Sequence, residues 1–124
     1  VAGLGGRLTN DKRETVWTIE YPFWEAALGF DFSHQLDQAH ILLFHTPPTG
    51  SDLDLDQGQH VGAPVVNALI RAYHPQIACC GHARNGQGKT MLGNSLVVNP
   101  GPLAEGDYAV IDTREKQVYF DNIS

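Results

Sequence analysis

The sequence predicts an α/β fold built on a βαβ unit and closed by a C-terminal β-hairpin. Three observations carry the prediction. Ala39 to Phe44 is an apolar run broken only by His40, and Gln76 to Cys80 is a second apolar run. Both have the length and composition of buried strands. Between them, Pro64 to Tyr73 reads as a helix, with Val65, Leu69 and Ala72 at i, i+4 and i+7 and Pro64 suited to the first turn. Near the end, Tyr108 to Asp112 and Gln117 to Phe120 flank the polar turn Thr113 to Lys116, as a hairpin would.

The remaining elements follow in order. Val1 to Gly6 starts apolar and turns glycine-rich, which suits a short strand and tight turn; no GKT/S or GxGxxG pattern follows it. Asp11 to Glu14 is a charged loop, and Val16 to Ile19 is a candidate strand. Pro22 suits the first turn of a helix, with Phe23, Trp24, Ala27 and Leu28 at helical spacing and Gly29 as its stop. The first long apolar run breaks at His45-Thr46-Pro47-Pro48, because two prolines cannot continue a central strand. Asp52, Asp54 and Asp56 alternate with leucines in a stretch read as a solvated acidic loop. Their spacing does not place the glycine and closing glutamate of a calcium loop in register. Thr90 to Met91 and Ser95 to Val98 are strand segments, and Asn99 is placed to fix the Pro100-Gly101 turn.

At 124 residues the chain fits a single domain, 1–124. The net charge is -6 and the 8 Lys and Arg are scattered, which argues against a dedicated nucleic-acid surface. No apolar run approaches the ~20 residues of a bilayer span, so no membrane contact is expected. Cys79 and Cys80 are adjacent, a poor arrangement for a disulfide, and lie in an apolar run. They read as reduced, buried thiols of a cytoplasmic protein.

The two apolar runs each end in a histidine, His45 after the first and His82 after the second. If the strands are sheet neighbours, both rings lie at the carboxyl edge of the sheet, where sites in α/β folds gather. A neutral imidazole on a rigid strand end is a good divalent-metal ligand. Gly81 before His82 is expected to turn the backbone sharply and keep the ring clear.

The run Ile41-Leu42-Leu43-Phe44-His45-Thr46-Pro47-Pro48 resembles the fourth metal-ligand motif of the calcineurin-like metallophosphoesterases. Gln59-His60-Val61-Gly62-Ala63 is similar to the HxGS element of their small prokaryotic members, and Gly81-His82-Ala83-Arg84 stands where that family has GHxH. Val98-Asn99-Pro100-Gly101 and Gly106-Asp107-Tyr108-Ala109 resemble the family's closing segment. Each motif is weak alone; the ordered set, spanning residue 1 to about 120, is specific.

The resemblance implies the C-terminal portion of a metallophosphoesterase-type β-sandwich flanked by helices, with mostly one sheet retained. It implies phosphoester hydrolysis assisted by divalent metal of the Mn, Fe, Zn or Mg class, with a phosphate ester as substrate. It makes His45 and His82 ligands of one metal. His60 becomes a candidate to support a ligand or contact phosphate from behind it, and no residue is assigned as catalytic.

Two departures limit this. Arg84 replaces the last GHxH histidine, and a guanidinium cannot ligate metal, though it can contact phosphate. The family's DxH, GDxxD and GNHD/E motifs do not occur in these 124 residues, and the first residue is Val1 rather than Met. The expectation is therefore an N-terminal half that carries them and a chain inactive without it. The alternative is a non-catalytic module for oligomerisation, as a homo-oligomer, or for metal and phosphate binding. His34, His40 and His74 have no motif support and are read as structural.

Overall fold

The computed structural model describes residues 2–4, 7–9, 20–22 and 41–124. In chain order its strands are β1 (Ala2–Leu4), β2 (Arg7–Thr9), β3 (Glu20–Pro22), β4 (Ile41–Phe44), β5 (Leu55–Asp56), β6 (Gln59–His60), β7 (Ile77–Cys79), β8 (Gly88–Leu92), β9 (Ser95–Asn99), β10 (Asp107–Asp112) and β11 (Gln117–Asn122). Five of them form one sheet in the order β1-β4-β7-β9-β8. Strands β1, β4, β7 and β9 run parallel, and β8 returns antiparallel beside β9. The pairs β2-β3, β5-β6 and β10-β11 form three two-stranded sheets.

The expected βαβ unit is present. Strands β4 and β7 are parallel neighbours, with Leu43 opposite Cys79, and the helix Pro64–Tyr73 connects them. The helix starts with proline at its first turn, as the sequence predicts. Its buried stripe shares Leu69 with the predicted one, with Val65 half-buried against the core, and departs from it at Ala72. Val66, Leu69 and Ile70 are buried and Tyr73 packs beside them, whereas Ala72 is exposed. The larger side chains at 66, 69, 70 and 73 remove more apolar area from water than a face ending in alanine would, at ~1.5–3 kcal/mol for each large residue. His74 closes the helix in the left-handed region (φ 47°), its N–H donating to the Ile70 carbonyl at 3.0 Å, before Pro75.

Side chains alternate across the sheet, as the period of two requires. Leu42, Phe44, Ala78, Cys80 and Val97 meet the helix and Leu53 in one core layer. Ile77, Leu96 and Val98 form the other, with Ile41 and Cys79 at its margin and Ala109, Ile111 and Val118 of the hairpin packed on it. The hairpin is longer than predicted, pairing Asp107 with Asn122 at its open end and Asp112 with Gln117 at the turn.

The prediction at Pro22 also fails. Pro22 ends strand β3, opposite Thr9, instead of opening a helix. A terminal strand position in a two-stranded ribbon asks little of the missing N–H, so proline is tolerated there. Val16 to Ile19, the apolar positions after Pro22, and His34 and His40 lie outside the described residues.

Candidate metal centre at the carboxyl edge of the sheet

His45 follows the last residue of β4, and His82 follows β7 by three positions. The Gly81 N–H donates to the His45 carbonyl at 3.1 Å, which prolongs the β4-β7 pairing beyond the strands themselves. The two imidazoles face each other with ring centroids 5.0 Å apart and planes inclined by 55°. Two rings bound to one ion through ~2.1 Å bonds would place their centroids roughly 4.5 Å apart at a right angle and about 5.2 Å apart at the tetrahedral angle. The observed separation falls inside that interval. The fit is limited to two ligands: among the described residues, no group of three or more His, Cys, Asp or Glu side chains converges anywhere.

The sharp turn at this edge is not made by Gly81. His82 itself occupies the left-handed region (φ 65°), and Gly81 is not among the residues with positive φ. A side chain at Gly81 would find only the His45 carbonyl, at 3.8 Å. The left-handed conformation costs a non-glycine residue ~1–2 kcal/mol, so the ring is aimed at the expense of backbone strain. Accordingly, H82G is expected to be about 1 kcal/mol more stable than H82A in urea unfolding. Equal midpoints would show that no strain resides at this residue.

Asn99 holds the loop that carries His82 in place. It is 1% exposed, and its Nδ2 donates to the carbonyls of Leu53 (3.1 Å) and Ala83 (3.0 Å), while its Oδ1 accepts from the Gly101 N–H (3.0 Å). The sequence anticipated the last bond. The first two needed the fold, because residues 53 and 83 are distant in sequence. A small cleft of about 40 Å³ opens between Gly81, His82, Ala83, Arg84, Asn99, Gly101 and Pro102. Arg84 is exposed and lines the same cleft as His82.

The predicted solvated acidic loop requires correction. Asp52 is exposed, but Asp54 is completely buried. Residues Asp52–Asp54 form a 3-10 turn capped by the Ser51 side chain, which drives Leu53 into the core and takes Asp54 in with it. The Asp54 carboxylate is compensated on both oxygens. His60 Nδ1–H donates to Oδ1 at 2.7 Å, and the Gly62 N–H donates to Oδ2 at 3.2 Å. This explains the His-x-Gly spacing physically: a Cβ at Gly62 would lie 2.7 Å from both Asp54 Oδ2 and the Pro48 carbonyl. His60 is thus fixed by a buried carboxylate. Sequence reading singled out His60 but not its partner, since three aspartates alternating with leucine look alike.

Neither Cys79 nor Cys80 is in a disulfide. Burial pushes the Cys80 thiol up to about 12, helped by the charges of Cys79 and Asp54, and burial also raises Cys79. A thiolate nucleophile at Cys80 is therefore not available near neutral pH.

Residues 1–123 match the family model described as metallophosphoesterase, calcineurin superfamily. The chain is 34% identical over 89 residues to the uncharacterized protein MJ1162 of Methanocaldococcus jannaschii, a match covering 68% of this chain and 39% of that protein. It is also similar to solved structures. The crystal structure of TT1561 of Thermus thermophilus superposes with a TM-score of 0.79 at 30% identity, covering 98% of this chain and 52% of that one. Another crystal structure superposes at 0.85 with 34% identity, covering 98% of this chain and 48% of its own. The chain therefore spans about half the length of those two structures.

Proposed function

The chain belongs to the calcineurin superfamily of metallophosphoesterases, and from that premise we infer that it serves metal-dependent phosphoester hydrolysis, with His45 and His82 as two ligands of one divalent ion. The observation that carries this reading is the 5.0 Å separation of the two rings at the carboxyl edge of the sheet. Mn, Fe, Zn and Mg are the candidate ions; imidazole favours the first-row transition metals over Mg. Such an ion supplies charge neutralisation and an activated water to the ester.

The chain's own residues supply the rest. His82 is held at a strained φ so that its ring meets that of His45. Arg84, lining the same cleft, offers a planar multi-donor group to a phosphate oxygen. Asn99 keeps the loop that carries both His82 and Arg84 from shifting. Two adjacent unbridged thiols are in keeping with a reducing compartment such as the cytoplasm. Among the described residues, no helix is long and apolar enough to cross a membrane.

Titration with Mn²⁺ tests the ligand assignment directly. H45A and H82A are each expected to weaken binding by more than about 10-fold, the loss typical even of groups behind a metal ligand. Unchanged affinity in both would dismiss the centre. Hydrolysis of p-nitrophenyl phosphate by the Mn²⁺-loaded chain tests the activity. Binding without turnover would favour a non-catalytic metal- and phosphate-binding module, a reading supported by the presence of only two imidazoles at the centre among the described residues.

A further inference from the structure

The loop that follows His45 cannot be held as a strand is held. Pro47 and Pro48 have no N–H to donate, so the hydrogen-bond ladder of β4 cannot continue through them. The loop is nevertheless anchored. His45 is exposed, while Thr46, Pro47 and Pro48 behind it are all buried. The N–H of Ala63, which caps the helix Pro64–Tyr73, donates to the Pro47 carbonyl at 2.9 Å. Beyond the prolines, the Asn67 side chain takes both backbone groups of Thr49. The Thr49 N–H donates to Asn67 Oδ1 at 2.8 Å, and Asn67 Nδ2 donates to the Thr49 carbonyl at 2.9 Å. One side-chain amide thus closes a ring of two hydrogen bonds with one loop residue, as a residue of a facing antiparallel strand would.

Asn67 lies within the helix, where asparagine is a poor choice. Its amide competes with the backbone for hydrogen bonds, and alanine or leucine would favour the helix more. Both of its polar groups are committed instead to a residue 18 positions back. The helix itself is held by Val66, Leu69 and Ile70, all buried in the main core, so the amide projects from a fixed base. At the near end of the loop, the Gly81 N–H donates to the His45 carbonyl at 3.1 Å. The backbone on the carboxyl side of His45 is therefore tied at its own carbonyl, at that of Pro47 and at both groups of Thr49, while the ring remains open to solvent.

We propose that Asn67 is a positioning residue for the candidate centre: its amide clamps Thr49 and so holds the His45 imidazole at the spacing from His82 that a shared ion needs. The proposal rests on the metal-centre reading above. Asn67 acts through the loop, not on the ion or the ester. It does for the loop after His45 what Asn99 does for the loop that carries His82, where a side-chain amide likewise binds backbone groups distant in sequence.

The informative variants are N67A and N67D. Alanine is the better helix former and the site is half-buried, so N67A is expected to fold with a urea midpoint close to that of the wild type. Its Mn²⁺ affinity is expected to fall about 10-fold, the lower end of the losses that follow removal of groups supporting a ligand. N67D introduces a negative charge that by itself would favour a cation. It also removes the donor to the Thr49 carbonyl and sets an acceptor against that oxygen, so its affinity is expected to fall as well. Affinity unchanged in N67A, or raised in N67D, would overturn the proposal while leaving the centre in place. A readout free of metal is NMR of the unloaded chain. The NOE between the ring protons of His45 and His82 is expected to weaken in N67A, and exchange of the Thr49 N–H to accelerate. A loss of affinity with the ring NOE intact would show a merely structural role and would also overturn the proposal. Failure of the wild-type chain to bind Mn²⁺ would overturn the metal-centre reading, and the proposal with it.

Discussion

N99D is expected to lower the stability of the chain by about 4 kcal/mol at neutral pH in urea unfolding. Asn99 presents two N–H groups to the carbonyls of Leu53 and Ala83 in a site 1% exposed. A carboxylate there removes both donors and sets a negative oxygen against two carbonyls. Each unsatisfied buried group costs ~1–3 kcal/mol, and an unpaired buried charge adds several more. The loss has a predictable pH dependence. The introduced carboxyl would have a folded-state pKa above its unfolded value near ~3.9. The penalty for charge is then absent below the unfolded value and grows as pH rises toward the folded one. Stability relative to wild type should therefore recover partly on acidification, while N99A, which introduces no charge, should show no such recovery. A cost below about 1 kcal/mol for N99D would mean that Asn99 does not anchor the loop.

G86A should be nearly as damaging, by about 3 kcal/mol, the upper end of ordinary overpacking. A Cβ at Gly86 would be 2.6 Å from the Leu53 carbonyl carbon and 3.0 Å from Asn99 Nδ2, and would meet the Leu53 carbonyl oxygen even sooner. The obstacles are backbone and a side chain already committed to two hydrogen bonds, so neither can move aside. The comparison is G81A, where the nearest atom is 3.8 Å away and φ is not in the left-handed region. That substitution is expected to cost less than about 1 kcal/mol. Similar losses from the two substitutions would contradict the packing described here. Both large effects converge on Leu53, whose carbonyl meets Asn99 and whose side chain is buried in the main core.

What the sequence disclosed was what depends on local period and composition. Pro64 to Tyr73 is a helix with the boundaries its spacing predicts, and the two apolar runs are adjacent parallel strands. The histidines at the ends of those runs could be located because strand ends in parallel sheets share an edge. What depends on tertiary fit was hidden. Asp54 is indistinguishable in sequence from Asp52 and Asp56, and only the 3-10 turn capped by Ser51 determines which of them is buried. Gly86 stands in a run with Gly88 that reads as a turn; the contact with Leu53 that forbids a side chain comes from 33 positions away. The left-handed residue was misplaced by one position, because glycine is the general expectation for such a turn and a histidine took the strain instead. The helix face agrees with the predicted stripe at Leu69 and Val65 and departs from it at Ala72, because spacing alone offers more than one stripe and the volume available beneath the helix selects among them.

The distance between the two imidazoles is close to the spacing of neighbouring strands in the sheet. Neighbouring strands lie ~4.8 Å apart, and the ring centroids of His45 and His82 lie 5.0 Å apart. Hydrogen bonding between parallel neighbours, prolonged by the Gly81 N–H to the His45 carbonyl, thus sets the backbone interval from which the two rings project. A third side chain of the same role on β7's other neighbour, β9, would stand about two rungs from β4, close to 10 Å from His45 and too far to share one ion. Asn99, at the end of β9, spans that second interval in a different way, by binding the loop instead of the ion. The interval from which the two histidines project therefore follows from the strand order of the sheet.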